Sequence, residues 1–399
     1  MDRKKMTHWL KTIALTLVLA LYTLTGTASL STQDIDREQV IDADEAAIRN
    51  FCPVQGLQPR TESFSGTGVI LTAFDPSATW HFDVASGRRY ALPDTAPCGR
   101  TCRLAADGTT LIYFNDLTNA HNTMRIDGAA STFLTERASD VAGWDAMTYF
   151  AWSPGVNPFI VDDAARGDRI AFPVMDTRQP LYAIQPGGAW AIGVSYDGDN
   201  FVRSLISLAD ARLAPVTLGL DVPSFNNYAW APDGTTLAYV APTLTAGQTY
   251  TPELKLIRLN GSGSARQVTD LRHAYESARI GGRAVDDLAW SPDSRQIAFW
   301  VTTTENANAI VSTLHSVDVI SGDVTAYCGF TPGDRADNPP RLFWSPDGDY
   351  IGFAADVTDD GHGAYVIALQ PDSGTFLTLT EGVYAAYGAH DLYAWGRRP

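Results

Sequence analysis

The chain has 399 residues, 45% hydrophobic and 11% aromatic, with a formal net charge of −16. That excess of acid excludes the basic grooves that nucleic acid requires and disfavours anionic membrane surfaces. Length alone would allow two or three domains, yet a fold that grows by repetition needs only one.

Residues 1–28 read as an export signal. Asp2-Arg-Lys-Lys5 is charged, Ile13 to Leu24 is apolar, and Gly26-Thr-Ala28 supplies small residues for cleavage. The apolar run is short against the ~20 residues of a membrane span, so an uncleaved anchor is the secondary reading. Cleavage would remove four Lys/Arg and one Asp, taking the charge from −16 to −19. The expectation is an exported protein, periplasmic or extracellular, with no membrane span after cleavage. Residues 29–65 form an acidic lead-in. Ile41, Glu45, Ile48 and Phe51 have partial helical spacing and predict a short amphipathic helix, followed by an extended stretch through Pro53 and Pro59.

From residue 66 to 399 the chain alternates short apolar strands with turn residues. The first blade shows strands at Gly68–Phe74, Trp80–Val84 and Arg89–Leu92, without an innermost strand. The second turns at Ala106-Asp-Gly108 and runs to about Leu134. For the third, a turn at Trp144-Asp145-Ala146 gives strands near 140–144, 147–152, 158–162 and 169–174. Leu104, Trp144 and Ile184 are then spaced evenly by 40 residues. The fourth blade turns at Gln185-Pro-Gly-Gly188.

The pattern sharpens after residue 226. Tyr228-Ala-Trp-Ala-Pro-Asp-Gly234, Leu288-Ala-Trp-Ser-Pro-Asp-Ser294 and Leu342-Phe-Trp-Ser-Pro-Asp-Gly348 are each followed by an apolar strand. Pro presets φ, Asp bonds its own backbone and Gly tolerates positive φ, so each phrase closes a hairpin. The Trp ends the preceding strand and packs between sheets, where burial contributes about 2–3 kcal/mol. These phrases resemble the WD40-like (PD40) repeat of TolB-type propellers, most clearly over residues 226–370. The resemblance implies a β-propeller and is nearly silent on function, since related repeats occur in scaffolds, periplasmic binding proteins and beside peptidase domains. Blades 5, 6 and 7 follow as Asn226–Val268, Val285–Cys328 and Arg341–Leu379. Asp391-Leu-Tyr-Ala-Trp395 reads as an innermost strand with nothing after it. The expected fold is therefore an all-β, seven-bladed propeller, with six or eight blades as fallbacks, in which the C-terminal strand completes blade 1 and hides two sheet edges.

Four cysteines in an exported chain favour disulfides. Cys98 and Cys102 are neighbours, whereas Cys328 lies far around the ring from them and Cys52 sits on the lead-in. The expected pairs are Cys98–Cys102 and Cys52–Cys328. No second Cys pair or nearby His supports a metal reading of the Cys98–Cys102 spacing. Asp197-Gly-Asp199-Asn200 and Asp356, Asp359 and Asp360 are oxygen-rich, but they lack the full spacing of a calcium loop. No metal or cofactor is assigned.

Propeller geometry puts turns between first and second and between third and fourth strands on one face, and the remaining connections on the other. The long connections are Ala241–Pro252, Asp270–Ala284, Thr302–Ala309, Gly329–Pro340 and Asp356–Gly363, all on that second face over blades 5 to 7. Long loops on a rigid scaffold tend to carry function. They hold Arg272, His273, Tyr275, Arg279, Arg283, Arg335 and His362, with Arg341 beside them. Such a cluster either grips a carboxylate, sulfate or phosphate, or forms a solvated network with Asp270, Glu276, Asp286, Asp287 and Asp337. No G-x-S-x-G, H-E-x-x-H or P-loop motif is present. The expected function is a monomeric, non-catalytic scaffold that binds a protein, peptide or glycan of the cell envelope. The alternative is a propeller enzyme, of polysaccharide lyase or hydrolase type, working at the mouth of the central channel.

Overall fold

The computed structural model describes residues 48–399 except 53–55, 76, 94–101, 116–117, 136–139, 144–148, 153–158, 164–167, 173–180, 197–200, 211, 221–226, 245–249, 261–263, 276, 282–287, 306–308, 329, 331–338, 356–363 and 384–391. Two short strands come first, β1 (Arg49–Phe51) and β2 (Gln58–Pro59). Blade 1 contains β3 (Val69–Asp75), β4 (Ala78–Asp83) and β5 (Arg89–Ala91); blade 2 contains β6 (Arg103–Leu104), β7 (Thr110–Asn115), β8 (Ala120–Arg125) and β9 (Thr132–Thr135). Next come β10 (Asp140–Gly143), β11 (Tyr149–Trp152), β12 (Phe159–Asp163) and β13 (Asp168–Phe172). Blade 4 is β14 (Leu181–Ile184), β15 (Trp190–Tyr196), β16 (Phe201–Ser207) and β17 (Val216–Leu220). Blade 5 is β18 (Tyr228–Trp230), β19 (Thr236–Leu244), β20 (Tyr250–Arg258) and β21 (Ala265–Gln267). Blade 6 is β22 (Ala278–Ile280), β23 (Ala289–Trp290), β24 (Gln296–Glu305), β25 (Ala309–Asp318) and β26 (Val324–Tyr327). Blade 7 is β27 (Phe343–Trp344), β28 (Ile351–Ala355), β29 (Ala364–Gln370) and β30 (Thr375–Val383). The last strand is β31 (Ala394–Gly396).

The architecture is an all-β propeller in which six blades of four or more strands form among the described residues. The expected seventh does not. At the third position, β10 pairs only with β11 and β12 only with β13, so two separate hairpins stand where a four-stranded sheet was expected. The β10–β11 hairpin itself is regular, from Asp140↔Trp152 to Gly143↔Tyr149, and the connection from β11 to β12, residues 153–158, lies outside the described residues.

Closure is made by β31. It pairs antiparallel with β3 in the register Val69↔Gly396, Ile70↔Trp395 and Leu71↔Ala394. The Tyr393 amide extends the seam to the Leu71 carbonyl at 2.8 Å. Trp395 is buried, and its indole N–H donates to the Thr67 carbonyl at 2.9 Å.

Repeated tryptophans tie neighbouring blades to one another. The Trp290 indole donates to the Ala229 carbonyl at 3.0 Å, and that of Trp344 to the Ala289 carbonyl at 2.9 Å. Each ring thus buries an apolar surface and satisfies the innermost strand of the preceding blade. The short turns also interlock. Gln185 Nε2 donates to the Gly234 carbonyl at 2.7 Å, the Asp233 amide to Ser294 Oγ at 3.1 Å and Thr67 Oγ1 to Asp347 at 2.6 Å. Asp107, Asp233, Asp293 and Asp347 each accept a backbone amide of their own turn, which accounts for the acid in the repeat. Ser294 takes φ 60° where Gly234 and Gly348 sit at 71° and 84°. Its hydroxyl makes the inter-blade bond that glycine would lack.

The lead-in departs from expectation. Arg49–Phe51 is a strand, not the last turn of a helix; residues 41–47 lie outside the described residues. β1 runs parallel to β26 and β2 parallel to β30, each as a fifth strand on an outer edge. Exposed main-chain edges of blades 6 and 7 supply these hydrogen bonds, and they outcompete a short isolated helix. Cys52 is bridged to Cys328 with a Cα–Cα separation of 4.8 Å. Cys102 is also disulfide-bonded, and its expected partner Cys98 lies outside the described residues. Phe51 packs edge-on to Tyr327, with ring centroids 6.3 Å apart. It fills a notch left by Gly374, at φ +63°, where any side-chain carbon would collide with the ring.

Replacing Trp395 by Ala is expected to cost about 3–5 kcal/mol, since it empties a buried site on the seam; urea unfolding measures it. Ser294→Ala keeps the unfavourable φ and loses the inter-blade bond, so a loss of about 1 kcal/mol is expected. Ser294→Gly relieves the backbone as it loses the bond, and its urea midpoint should stay close to that of the parent.

Candidate binding face over blades 5 and 6

Two of the expected loops prove to be strands. The β19–β20 ladder continues to Leu244↔Tyr250, and the β24–β25 ladder continues to Glu305↔Ala309. The β24–β25 extension carries Thr302, Thr303, Thr304, Ile310 and Val311, residues that suit a pleated surface, whereas the β19–β20 extension pairs Pro242 with Pro252. Both ladders therefore carry the sheet into segments expected to be loops.

The segment between these blades is structured as well. A one-turn helix, α1 (Leu271–Ala274), is followed by β22, which pairs with β24 through Arg279↔Thr302 and Ile280↔Val301. β23 pairs with the same strand further along, at Ala289↔Ala298. The innermost strand of blade 6 is thus built in two pieces, separated by residues 281–288. Asn227 of blade 5 donates through Nδ2 to the Ile280 carbonyl at 3.0 Å and fixes the upper piece.

Glu253 organises the base of this segment. It is fully buried on β20. Its carboxylate accepts the Thr269 hydroxyl at 2.6 Å and the amides of Leu271 and Arg272 at 3.0 and 3.1 Å. Asp270 precedes α1 but makes no side-chain cap. Its oxygens are instead held by Arg272 Nε, at 3.0 Å, and His273 Nδ1. A glutamate from the neighbouring strand therefore satisfies helix amides that the preceding residue leaves open. Burial pushes the Glu253 carboxyl up to about 7, opposed by these three hydrogen bonds. Fully buried, the side chain holds the start of α1 against β20.

The second brace joins Tyr275 to His315. The Tyr275 hydroxyl donates to His315 Nε2 at 2.8 Å, while Nδ1–H donates to the Thr313 carbonyl at 2.9 Å. His315 is fully buried on β25 and lies stacked on Phe299 at 5.8 Å between centroids. Burial lowers its pKa to about 4, so the ring stays neutral and accepts the phenol.

The expected site residues separate accordingly. Arg272 and His273 share one carboxylate, Asp270, whose side chain is 12% exposed; His273 itself is 61% exposed. Tyr275 is a brace. Arg279 is half-buried on β22, and Arg341 is buried. Arg283, Arg335 and His362 lie outside the described residues, as do the acidic stretches 197–200 and 356–360. Among the described residues no three His, Cys, Asp or Glu side chains gather as a metal would need. Sequence reasoning missed Glu253 and His315. The available signal was Thr269-Asp-Leu-Arg272, a helix start in want of an acceptor.

The two buried groups act oppositely with pH. His315 has a folded pKa depressed from 6.5 to about 4, so its contribution is complete above pH 6.5 and is lost as pH falls toward 4. Glu253 is raised from 4.5 to about 7, so its contribution is greatest below 4.5 and is lost as pH rises through 7. The stability margin of the parent over a His315→Gln variant should therefore shrink by about 2 kcal/mol between pH 7 and pH 5. Paired urea titrations at the two pH values test this, and a constant margin would contradict a neutral His315.

No protein-family model matches the chain, and no curated protein matches it. Solved structures with a similar fold include TolB from Acinetobacter baumannii, at 14% identity over 83% of this chain and 82% of that one, TM-score 0.42. A putative 6-phosphogluconolactonase from Bacteroides uniformis is 15% identical over 80% and 96%, TM-score 0.46. Oligogalacturonate lyase from Vibrio parahaemolyticus is 11% identical over 82% and 90%, TM-score 0.49. Likeness at this level leaves the chemistry of the face to its own residues.

Proposed function

We propose that this chain is an exported, non-catalytic β-propeller that captures a protein, peptide or glycan partner of the cell envelope on this face of blades 5 and 6. One observation carries the reading. The buried polar groups of that region, Glu253 and the Tyr275–His315 pair, are consumed in bracing its surface. A rigid surface lowers the ordering cost of association. His273 is exposed there beside the Arg272–Asp270 pair, on a chain of net charge −16, and Arg279 and Arg283 are included as proposed contacts. A carboxylate, sulfate or phosphate of the partner is the group they suit. Arg335, Arg341 and His362 complete the proposed set of contact residues.

The finer features of the reading follow the same logic. The hairpins β10–β11 and β12–β13 occupy the place of a seventh blade. Residues 1–28 direct export, consistent with a disulfide-bonded chain. Among the described residues no helix is long and apolar enough to cross a membrane. The mature protein acts as a monomer.

Replacing Arg272 and His273 together by Ala should weaken capture of the native partner at least about tenfold, and because it strips both partners from the largely buried Asp270 carboxylate it should also cost about 1–3 kcal/mol of stability. Pull-down from the envelope fraction with parent and variant, alongside their melting curves, reads both quantities. Undiminished capture by a folded variant would remove the face from consideration.

A further inference from the structure

We propose that the Cys52–Cys328 bridge is a redox-operated clasp: oxidised, it holds β1 on the outer edge of blade 6, and reduced by a dithiol it lets β1 leave and opens that edge. The argument rests on how differently the bonded cysteines are placed. Cys52 and Cys328 are both exposed. Cys102, also bridged, is 3% exposed and packs among Val69, Leu71 and Leu111 in the core between blades 1 and 2. Thiol–disulfide exchange requires a thiolate to reach a sulfur, so the outer bridge is open to attack and the inner one is shielded.

Among the described residues, β1 is otherwise held by its short ladder, by Phe51 against the core of blades 6 and 7, and by the packing of Ile48 just before it. The strand is three residues long, with Arg49 and Asn50 exposed and Phe51 half-buried. Its ladder is Arg49↔Thr325, Asn50↔Ala326 and Phe51↔Tyr327, and Phe51 adds one aromatic contact and the Gly374 notch. Even a complete two-stranded hairpin is marginal in water. The bridge spans 276 residues of sequence, so breaking it removes a large constraint on the separated ends. β26 has β25 on its other side, and among the described residues β1 is its outer neighbour in the sheet order. Release of β1 therefore exposes a row of unpaired main-chain groups, the template that an added strand recognises.

The chemistry balances. One thiolate of the dithiol attacks either sulfur of the bridge, forming a mixed disulfide and expelling the other cysteine as a thiolate. The second thiol of the reductant displaces the first cysteine. Two electrons and two protons pass to Cys52 and Cys328, and the reductant leaves as a cyclic disulfide.

The test uses the folded full chain with dithiothreitol at concentrations that leave its melting curve cooperative. Free thiols are trapped by alkylation and mapped, and amide hydrogen exchange is followed in parallel. Cys52 and Cys328 should be alkylated while Cys102 stays protected, and the amides of residues 324–327 should exchange at least about tenfold faster, with β25 unchanged. A Cys52→Ser variant should show the same rise without reductant. The proposal is overturned if Cys102 is labelled as fast as Cys52, or if the outer bridge resists the dithiol in the folded protein. It is equally overturned if Cys52 and Cys328 become free while exchange at 324–327 is unaltered, in either the reduced parent or the variant.

Discussion

A ring of sheets has no natural end, so two strands from opposite ends of the chain must meet for any blade to keep its neighbours. Here that meeting is the three-residue ladder between β31 and β3. It removes two open edges at once. Trp395 sits in the seam between Thr67 and the core of blade 7, packing with Ile70, Phe82, Leu377 and Leu392. The other inter-blade contacts presuppose this closure. The indole bonds of Trp290 and Trp344 and the interlocked turns act between adjacent sheets, and each needs the ring to fix the distance across which it reaches.

The same division explains why the recurrent acids carry no chemistry and a solitary one organises the face. Asp233, Asp293 and Asp347 are consumed within their turns. Glu253 lies outside the repeat and reaches from one blade to the helix that leads into the next. Its burial is costly for a charge, and three donors offset that cost. His315 solves the complementary problem by staying neutral. Between pH 4.5 and 6.5 the two titrations oppose each other, so the bracing of the face changes less with acidity than either group alone would imply.

Much of the fold was legible because turn chemistry is local. Pro-Asp-Gly specifies a reversal whatever surrounds it, and the unmatched strands at residues 68–74 and 391–396 pointed to closure. The third blade was less legible. Its four strands fall close to the expected positions, but they pair as two hairpins, β10 with β11 and β12 with β13, which strand positions read from the sequence do not specify. The lead-in was misread for a related reason. Ile48 and Phe51 have helical spacing, yet the deciding partner is an edge 276 residues away in the disulfide count. Tertiary hydrogen bonding overrode a weak local preference. At the candidate face, two of the connections expected to be loops, 241–252 and 302–309, are largely paired strand, and that pairing acts across the loop. Nothing in Pro252-Glu253-Leu254 distinguishes a buried brace from a surface carboxylate.

The parallel docking of the lead-in has a mechanical consequence. Tension applied through the residues before β1 enters at Ile48 and meets β1, whose bonds to β26 lie across the line of pull, and then the Cys52–Cys328 bridge. It is delivered into blade 6 before it reaches β3. Any tether on the N-terminal side therefore loads the flank of the ring in shear, and the seam between β3 and β31 is spared the unzipping force that would open it one bond at a time.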